Sequence, residues 1–192
     1  MIPDIIELKT EDEVMQLPLM RDGGLCLYAL NLMGKGRLNR SFGRALAQKL
    51  KAYAGRFDVI VAVEAKSLAL VQELAQFLGA DEYVVLRKSH KLYMGKNALK
   101  VDSGSVTTPG QQALWLDEYD IPLLKGKRIL FVDDVISTGK TKTAADELFT
   151  MVQAAVTVVA CVATEGKAME AAPENWVRLG HIPLYDGNEN PL

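Results

Sequence analysis

Histidine and cysteine are scarce in this 192-residue chain, which holds two of each. Cys26 and Cys161 lie in the apolar stretches LCLYAL and VVACVA, so they read as buried thiols of a reducing compartment, not as a disulfide framework. With only His90 and His181 beside them, no Cys/His cluster has the spacing of a zinc site. No apolar run approaches the ~20 residues a membrane helix needs. The opening residues MIPDIIELKTEDE are acidic and lack a hydrophobic signal core, which speaks against a signal peptide. An excess of one charge is missing as well: 22 basic residues stand against 24 acidic ones, a formal net charge of −2. That balance excludes nucleic-acid or membrane-surface binding driven by general electrostatics. The expectation is a cytoplasmic protein with neither nucleic acid nor membrane as partner.

What is present is a globular composition, 49% hydrophobic and 24% charged. The length suits a single domain over 1–192, large enough to bury a core without disulfides or a structural metal. Thr10 and Glu13 have capping-box spacing, which predicts a short helix opening at Thr10. Residues 25–32 read as a strand, followed by a turn at Gly34-Lys35-Gly36. Over 39–54, Phe42, Leu46, Leu50 and Tyr53 recur at helical spacing. Residues 58–63 (DVIVAV) are continuously apolar after their first residue, the pattern of a strand buried on both faces. A helix over 67–78 ended by Gly79, strands over 83–86, 128–132 and 156–162, and a helix over 141–152 continue the alternation. Repeated strand–helix units predict an α/β fold with a mostly parallel central sheet flanked by helices.

One stretch breaks the rhythm. Between Arg87 and Lys127, SHKLYMGKNALKVDSGSVTTPGQQ is polar, glycine-bearing and without helical period. Irregular segments of this length inside a domain are commonly functional, so residues 88–112 read as a lid. A pair of irregular edge strands, partly supplied by QQALWLDEY, is the competing reading.

The strongest local signal is residues 129–141, ILFVDDVISTGKT. A buried strand runs into two adjacent carboxylates, Asp133 and Asp134, then a hydroxyl- and glycine-bearing turn, then a helix. Ligands of open α/β sheets bind at the carboxyl ends of strands. The turn over 137–141 offers backbone N–H groups, hydroxyls and a helix N-terminus, a combination that attracts phosphate. Gly139-Lys140-Thr141 looks like the end of a Walker A loop, but Asp134 stands where that motif needs its first glycine. A dinucleotide fingerprint is absent too, since Asn39 occupies the third glycine position after Gly34-Lys35-Gly36.

These thirteen residues resemble the PRPP-binding signature of type I phosphoribosyltransferases. The resemblance implies that Asp133 and Asp134 accept hydrogen bonds from the ribose hydroxyls of PRPP. Ser137, Thr138, Gly139, Lys140 and Thr141 would then cradle its 5′-phosphate. Glu64-Ala65-Lys66-Ser67 is similar to the pyrophosphate loop of adenine and related purine enzymes, with Lys66 for the usual arginine and Ser67 for the usual glycine. Arg87-Lys88-Ser89-His90-Lys91 resembles the Arg-Lys-x-x-Lys of the same branch, whose cations meet pyrophosphate. Lys91 counts among the catalytic candidates with the acid pair, and His90 does not. Base recognition is legible only faintly. Leu27 to Leu32 is similar to the hood of xanthine enzymes, which implies stacking by Tyr28 and edge-reading by Asn31, with core packing an equal reading for Tyr28. Glu165 falls near where purine enzymes read the base.

The implied architecture is a phosphoribosyltransferase domain with a small hood, from about 1–38 and 170–192, and a flexible catalytic loop. The implied reaction joins a purine, adenine favoured, to PRPP-Mg²⁺ and releases pyrophosphate. The metal would be carried by PRPP, with Asp133 or Asp134 reaching it through water, and the protein would be a homodimer. A 6-oxopurine (xanthine, hypoxanthine or guanine) enzyme, an orotate enzyme and a PRPP-sensing regulator are the alternatives.

Overall fold

The computed structural model of the protein describes residues 2–102 and 113–192. The chain begins as a hairpin in which β1 (Ile5–Lys9) pairs antiparallel with β2 (Val14–Asp22). β3 (Leu25–Tyr28) then returns along β2. The helix expected at Thr10 is therefore not formed. The Thr10 N–H donates to the Glu13 carbonyl at 2.9 Å, and the Glu13 N–H donates to Thr10 Oγ1 at 3.0 Å. Such local bonds close a hairpin turn as readily as they cap a helix. The period decides between them: Met15 and Leu17 are buried while Val14, Gln16 and Pro18 are exposed, the alternation of a strand.

Helix α1 (Gly36–Leu50) buries Phe42, Leu46 and Leu50 on one side and leads to β4 (Val59–Val63). Helix α2 (Leu68–Leu78) follows and stops at Gly79, whose φ of 70° gives the left-handed C-cap expected there. The two helices meet closely at Gly43, where a Cβ would lie 3.0 Å from Glu73 Cβ. The chain continues through β5 (Val84–Leu86), the antiparallel pair β6 (Leu99–Asp102) and β7 (Ala113–Leu116), and the short helix α3 (Ile121–Leu124). The segment after β5 thus contains the edge-strand pair of the competing reading. Of the proposed lid, residues 103–112 lie outside those described. Next come β8 (Arg128–Ile136), helix α4 (Lys140–Met151), β9 (Ala155–Glu165), β10 (Trp176–Ile182) and β11 (Tyr185–Asp186).

Five strands form the central sheet in the order β10-β9-β8-β4-β5, and every neighbouring pair is parallel. Alternate residues of each strand feed two cores, as a sheet covered on both faces requires. Ile60, Leu130 and Val132 pack with Phe42, Leu46 and Leu74 of α1 and α2. Val61, Phe131 and Val159 pack with Leu148 and Phe149 of α4 and Leu114 of β7. A second, antiparallel sheet, β1-β2-β3-β11, joins the N-terminal hairpin to the end of the chain. β10 belongs to the central sheet, so the segment assigned wholly to a hood from 170 onward is divided between the two sheets. WVRLGHI carries an arginine, a glycine and a histidine, and so lacks the apolar run that marks the inner strands.

Asp58 ties the start of β4 to the start of β8. It accepts from Arg128 Nε at 3.0 Å, Nη2 at 2.6 Å and the Arg128 backbone N–H at 2.9 Å. The Arg128 side-chain bonds, then its backbone bond, hold the Asp58 carboxyl well below the usual range. A depressed folded value contributes stability that is present above the unfolded value and lost as pH falls. Asp58→Asn is expected to flatten the fall in melting temperature between about pH 5 and about pH 2. Melting curves across that range test it, and identical slopes for parent and variant would show that the fork contributes nothing.

Candidate active site

Because the central strands are all parallel, their carboxyl ends share one edge of the sheet, and four of the loops that leave from it concern the site. These are residues 64–67 after β4, 87–98 after β5, 137–139 after β8 and 166–170 after β9. Every candidate ligand residue except Tyr28 and Asn31 lies in these loops or at the strand ends and helix start beside them.

β8 runs further than the sequence suggests, through both acids to Ile136, with Asp133 opposite Cys161 and Ile136 opposite Thr164. Asp134 is buried, and its Oδ2 has no hydrogen-bond partner among the described residues. The Asp134 N–H donates to Asp133 Oδ1 at 2.9 Å. Burial, and then the neighbouring Asp134 carboxylate, push the Asp133 carboxyl well above the usual range, and the Lys88 ammonium offsets only part of this. Two acids in one poorly solvated place, one with an idle oxygen, suit a ligand that brings hydroxyl donors or a cation. Burial also raises the thiol of Cys161, beside Asp133, to about 12, which leaves it an inert core group.

After β8 the chain turns at Gly139, whose φ of 74° and ψ of 0° start α4 without any side-chain cap. No acid stands in the first turn of α4, so its N-terminal N–H groups face a region without competing carboxylates of their own helix. A cavity of about 140 Å³ lies against this turn, lined by Asp133, Val135, Ile136 and residues 137–142. That volume is below the usual range for an organic ligand and suits a single anionic group. Lys142 is committed to Asp146 at 2.5 Å, whereas Thr138 and Lys140 are exposed.

The Glu64 carboxylate gathers the loop after β5. It accepts from the Lys88 N–H at 2.6 Å and from Arg87 Nη1 at 3.2 Å, and Lys91 Nζ lies 3.5 Å away. Burial alone would raise its carboxyl, but these three donors together leave it below the ordinary value. Lys91 Nζ also donates to Ser89 Oγ at 2.7 Å, and Arg87 lies over the Tyr93 ring at 5.8 Å. The Glu64–Ala65 peptide is cis, and the buried Ser67 hydroxyl donates to the Val63 carbonyl at 2.5 Å. Lys66 is exposed and lies near Glu165. The turn over 91–96 is anchored from α3's side: Asp117 Oδ1 accepts from the Gly95 N–H at 3.1 Å, and Glu118 accepts from Asn97 Nδ2 at 2.7 Å. These two anchoring acids carry no signature in the sequence.

The three base-reading candidates separate. Glu165 ends β9 at the site, half-buried; burial raises its carboxyl, while the Ser137 hydroxyl and Lys66 pull it back. Asn31 is exposed, and its Oδ1 accepts from the Met33 N–H at 3.0 Å, while the amide's donor end has no hydrogen-bond partner among the described residues. Tyr28, expected to stack on a base, does not face the site. It is 1% exposed within the core and its hydroxyl donates to the Pro3 carbonyl at 2.7 Å, so its ring has no face to offer a ligand. The alternation of β3 turns Cys26 and Tyr28 inward together.

Fold and site together define an α/β protein whose acid pair, uncapped helix turn and cation cluster share the carboxyl edge of a parallel sheet. Residues 35–188 match the family model described as the phosphoribosyl transferase domain, and the chain belongs to that family. It is 35% identical over 107 residues to the adenine phosphoribosyltransferase of Renibacterium salmoninarum, a match covering 55% of either chain, so the chain spans about half the length of that relative. It is 30% identical over 148 residues to the adenine phosphoribosyltransferase of Mastomys natalensis, covering 74% of this chain and 73% of that one. Among solved structures, the adenine phosphoribosyltransferase of Thermoanaerobacter pseudethanolicus shares the fold with a TM-score of 0.67 at 22% identity, covering 86% of this chain and 95% of that chain.

Proposed function

We propose that the protein is a purine phosphoribosyltransferase of purine salvage, transferring the 5-phosphoribosyl group of PRPP to a purine with adenine favoured. The observation that carries the reading is the meeting, at one sheet edge, of the acid pair with Asp134 buried, the uncapped α4 turn with its small cavity, and the cations gathered on Glu64. The names of the Renibacterium and Mastomys relatives support adenine as the base.

In this reading the N–H groups of residues 137–141 hold the 5′-phosphate, and Asp133 and Asp134 accept from the ribose hydroxyls. A purine nitrogen attacks the anomeric carbon as its bond to pyrophosphate breaks, and the purine gives up a proton. The transition state is oxocarbenium-like, so the protein's work is positioning, charge neutralisation and exclusion of water. Lys66, Arg87, Lys88 and Lys91 face the charge that accumulates on the leaving group. Arg87 and Lys91 exchange the Glu64 carboxylate for pyrophosphate as it forms.

Mg²⁺ fits the donor set. Asp133 and Asp134 offer hard oxygens, and the unpartnered Oδ2 of Asp134 is suited to a water of the ion's shell. When bound, the ion supplies neutralisation of the pyrophosphate oxygens. A homodimer belongs to the same reading: Leu92 is fully exposed and Tyr93 60% exposed beside these cations, and a second copy of the chain is the partner that covers them.

Product formation from PRPP and Mg²⁺ with adenine, hypoxanthine, guanine, xanthine and orotate in separate reactions tests the reading. Conversion of adenine is expected. Conversion of a 6-oxopurine alone would move the assignment to that class, and of orotate alone to a pyrimidine enzyme. PRPP binding without turnover of any base would point to a regulator, and no binding at all would overturn the proposal.

A further inference from the structure

Arg178, on β10, hydrogen-bonds to no candidate ligand residue among those described, yet its guanidinium spans the loop that walls the phosphate turn. Its Nη1 donates to the hydroxyl of the fully buried Thr164, near the end of β9 where that loop departs, and to the Met169 carbonyl at 2.9 Å. Its Nη2 donates to the Glu170 carbonyl at 2.6 Å. Both ends of residues 164–170 are thereby held by one planar group. Between the two ends, the loop touches the phosphate turn twice. Glu165 faces the Ser137 hydroxyl, and Met169 packs on Gly139, its Cε 3.3 Å from where a Cβ on that glycine would stand.

His181 completes the clamp from the same strand. Its Nδ1 lies 3.0 Å from Thr164 Oγ1 and 3.5 Å from Arg178 Nη1. Arginine can only donate, so the Thr164 hydroxyl accepts from Arg178 and shares a second hydrogen bond with His181 Nδ1. Burial, and then the Arg178 charge, lower the His181 pKa and favour its neutral form.

We propose that Arg178 is a positioning residue that sets the affinity of the turn at 137–141 for the phosphate of PRPP, by fixing the Glu165 and Met169 contacts to it. The inference rests on the phosphoribosyltransferase reading. A rigid fork is needed because the three acceptors come from both ends of the loop, and a lysine ammonium does not present donors in that geometry.

The experiment measures binding of ribose 5-phosphate by calorimetry, and KM for PRPP against kcat, in the full chain and in Arg178→Met, Arg178→Lys and Met169→Ala. In Arg178→Met, the dissociation constant for ribose 5-phosphate and KM for PRPP are expected to rise about tenfold, with kcat and KM for the base within about twofold. Arg178→Lys is expected to recover less than half of that loss on a logarithmic scale. Met169→Ala leaves the guanidinium in place and is expected to weaken ribose 5-phosphate in the same direction, so it decides the matter if Arg178→Met does not fold. Parental affinity in Arg178→Met, or in Met169→Ala where the arginine variant is unfolded, overturns the inference while the functional reading stands. Failure of the unsubstituted protein to bind ribose 5-phosphate or PRPP overturns both.

Discussion

Replacing Asp133 and Asp134 together by asparagine is expected to lower purine transfer by about 10³-fold and, at neutral pH, to raise the melting temperature. The first effect follows from what the acids do in the proposed reaction. Each charge-assisted hydrogen bond to a ribose hydroxyl contributes roughly 1.5–3 kcal/mol, and losing two of them gives a loss of this size. The second effect follows from the acids' surroundings. Burial and the adjacent Asp134 raise the folded-state value of Asp133 above its unfolded one. A carboxyl raised in this way favours the folded state fully only below the unfolded value, and the advantage drains away as pH rises through the folded value. The parent therefore carries, at neutral pH, the cost of holding the Asp133 carboxyl in a buried place beside Asp134, which the amides remove. At this chain length each kcal/mol relieved appears as about 2–4 °C. Calorimetric melts at about pH 4, 6 and 8 should show the gap between variant and parent widening with pH. A variant that melts below the parent at the upper pH would mean the acids are satisfied by the fold itself. Unchanged turnover would remove them from the site.

Gly139→Val is expected to raise KM for PRPP by about 30-fold or more. At φ 74° a side chain with a branched β-carbon is strained by roughly 1–2 kcal/mol, and the new carbon would also push on Met169 Cε at 3.3 Å. Relief of either kind rotates the peptide planes whose N–H groups meet the phosphate. Gly79→Val is the matched control. Gly79 has a φ of 70° at the C-cap of α2, with nothing within 4 Å of a built Cβ, and stands at the other end of that helix from the 64–67 loop. The two variants should lose comparable thermal stability, but only Gly139→Val should lose affinity for PRPP. Equal KM values in the pair would mean that the conformation of Gly139 serves folding alone.

The inner strands were legible because burial on both faces leaves a run such as VIVAV or RILFV with no polar face to confuse it. The helices were legible because their apolar residues recur every three or four positions and because Gly79 ends one of them in the left-handed conformation. Elsewhere one local pattern serves two structures. Thr10 and Glu13 make one of the two capping-box bonds inside a hairpin turn, and β10 is an edge strand whose polar residues look outward or toward the loop it clamps. By its sequence setting Tyr28 fits both a base-stacking ring and a core residue. Only the packing of β3 against the rest of the N-terminal sheet decides that it is core.

By itself, then, the amino-acid sequence determined the alternation of strands and helices, the acid pair followed by a phosphate-suited turn, and the cations after β5. Each of these is written in contiguous residues, where local period and local chemistry act. Tertiary structure alone decided that Glu64 would gather Arg87 and Lys91, that Asp134 would be buried with an idle oxygen, and that Arg178 would hold a loop eight and more residues away. Those relations arise when parallel strands distant in sequence bring their ends to one edge, and burial at that edge fixes the charges on its side chains. Neither the distance nor the loss of solvent has a counterpart in the spacing of residues along the chain.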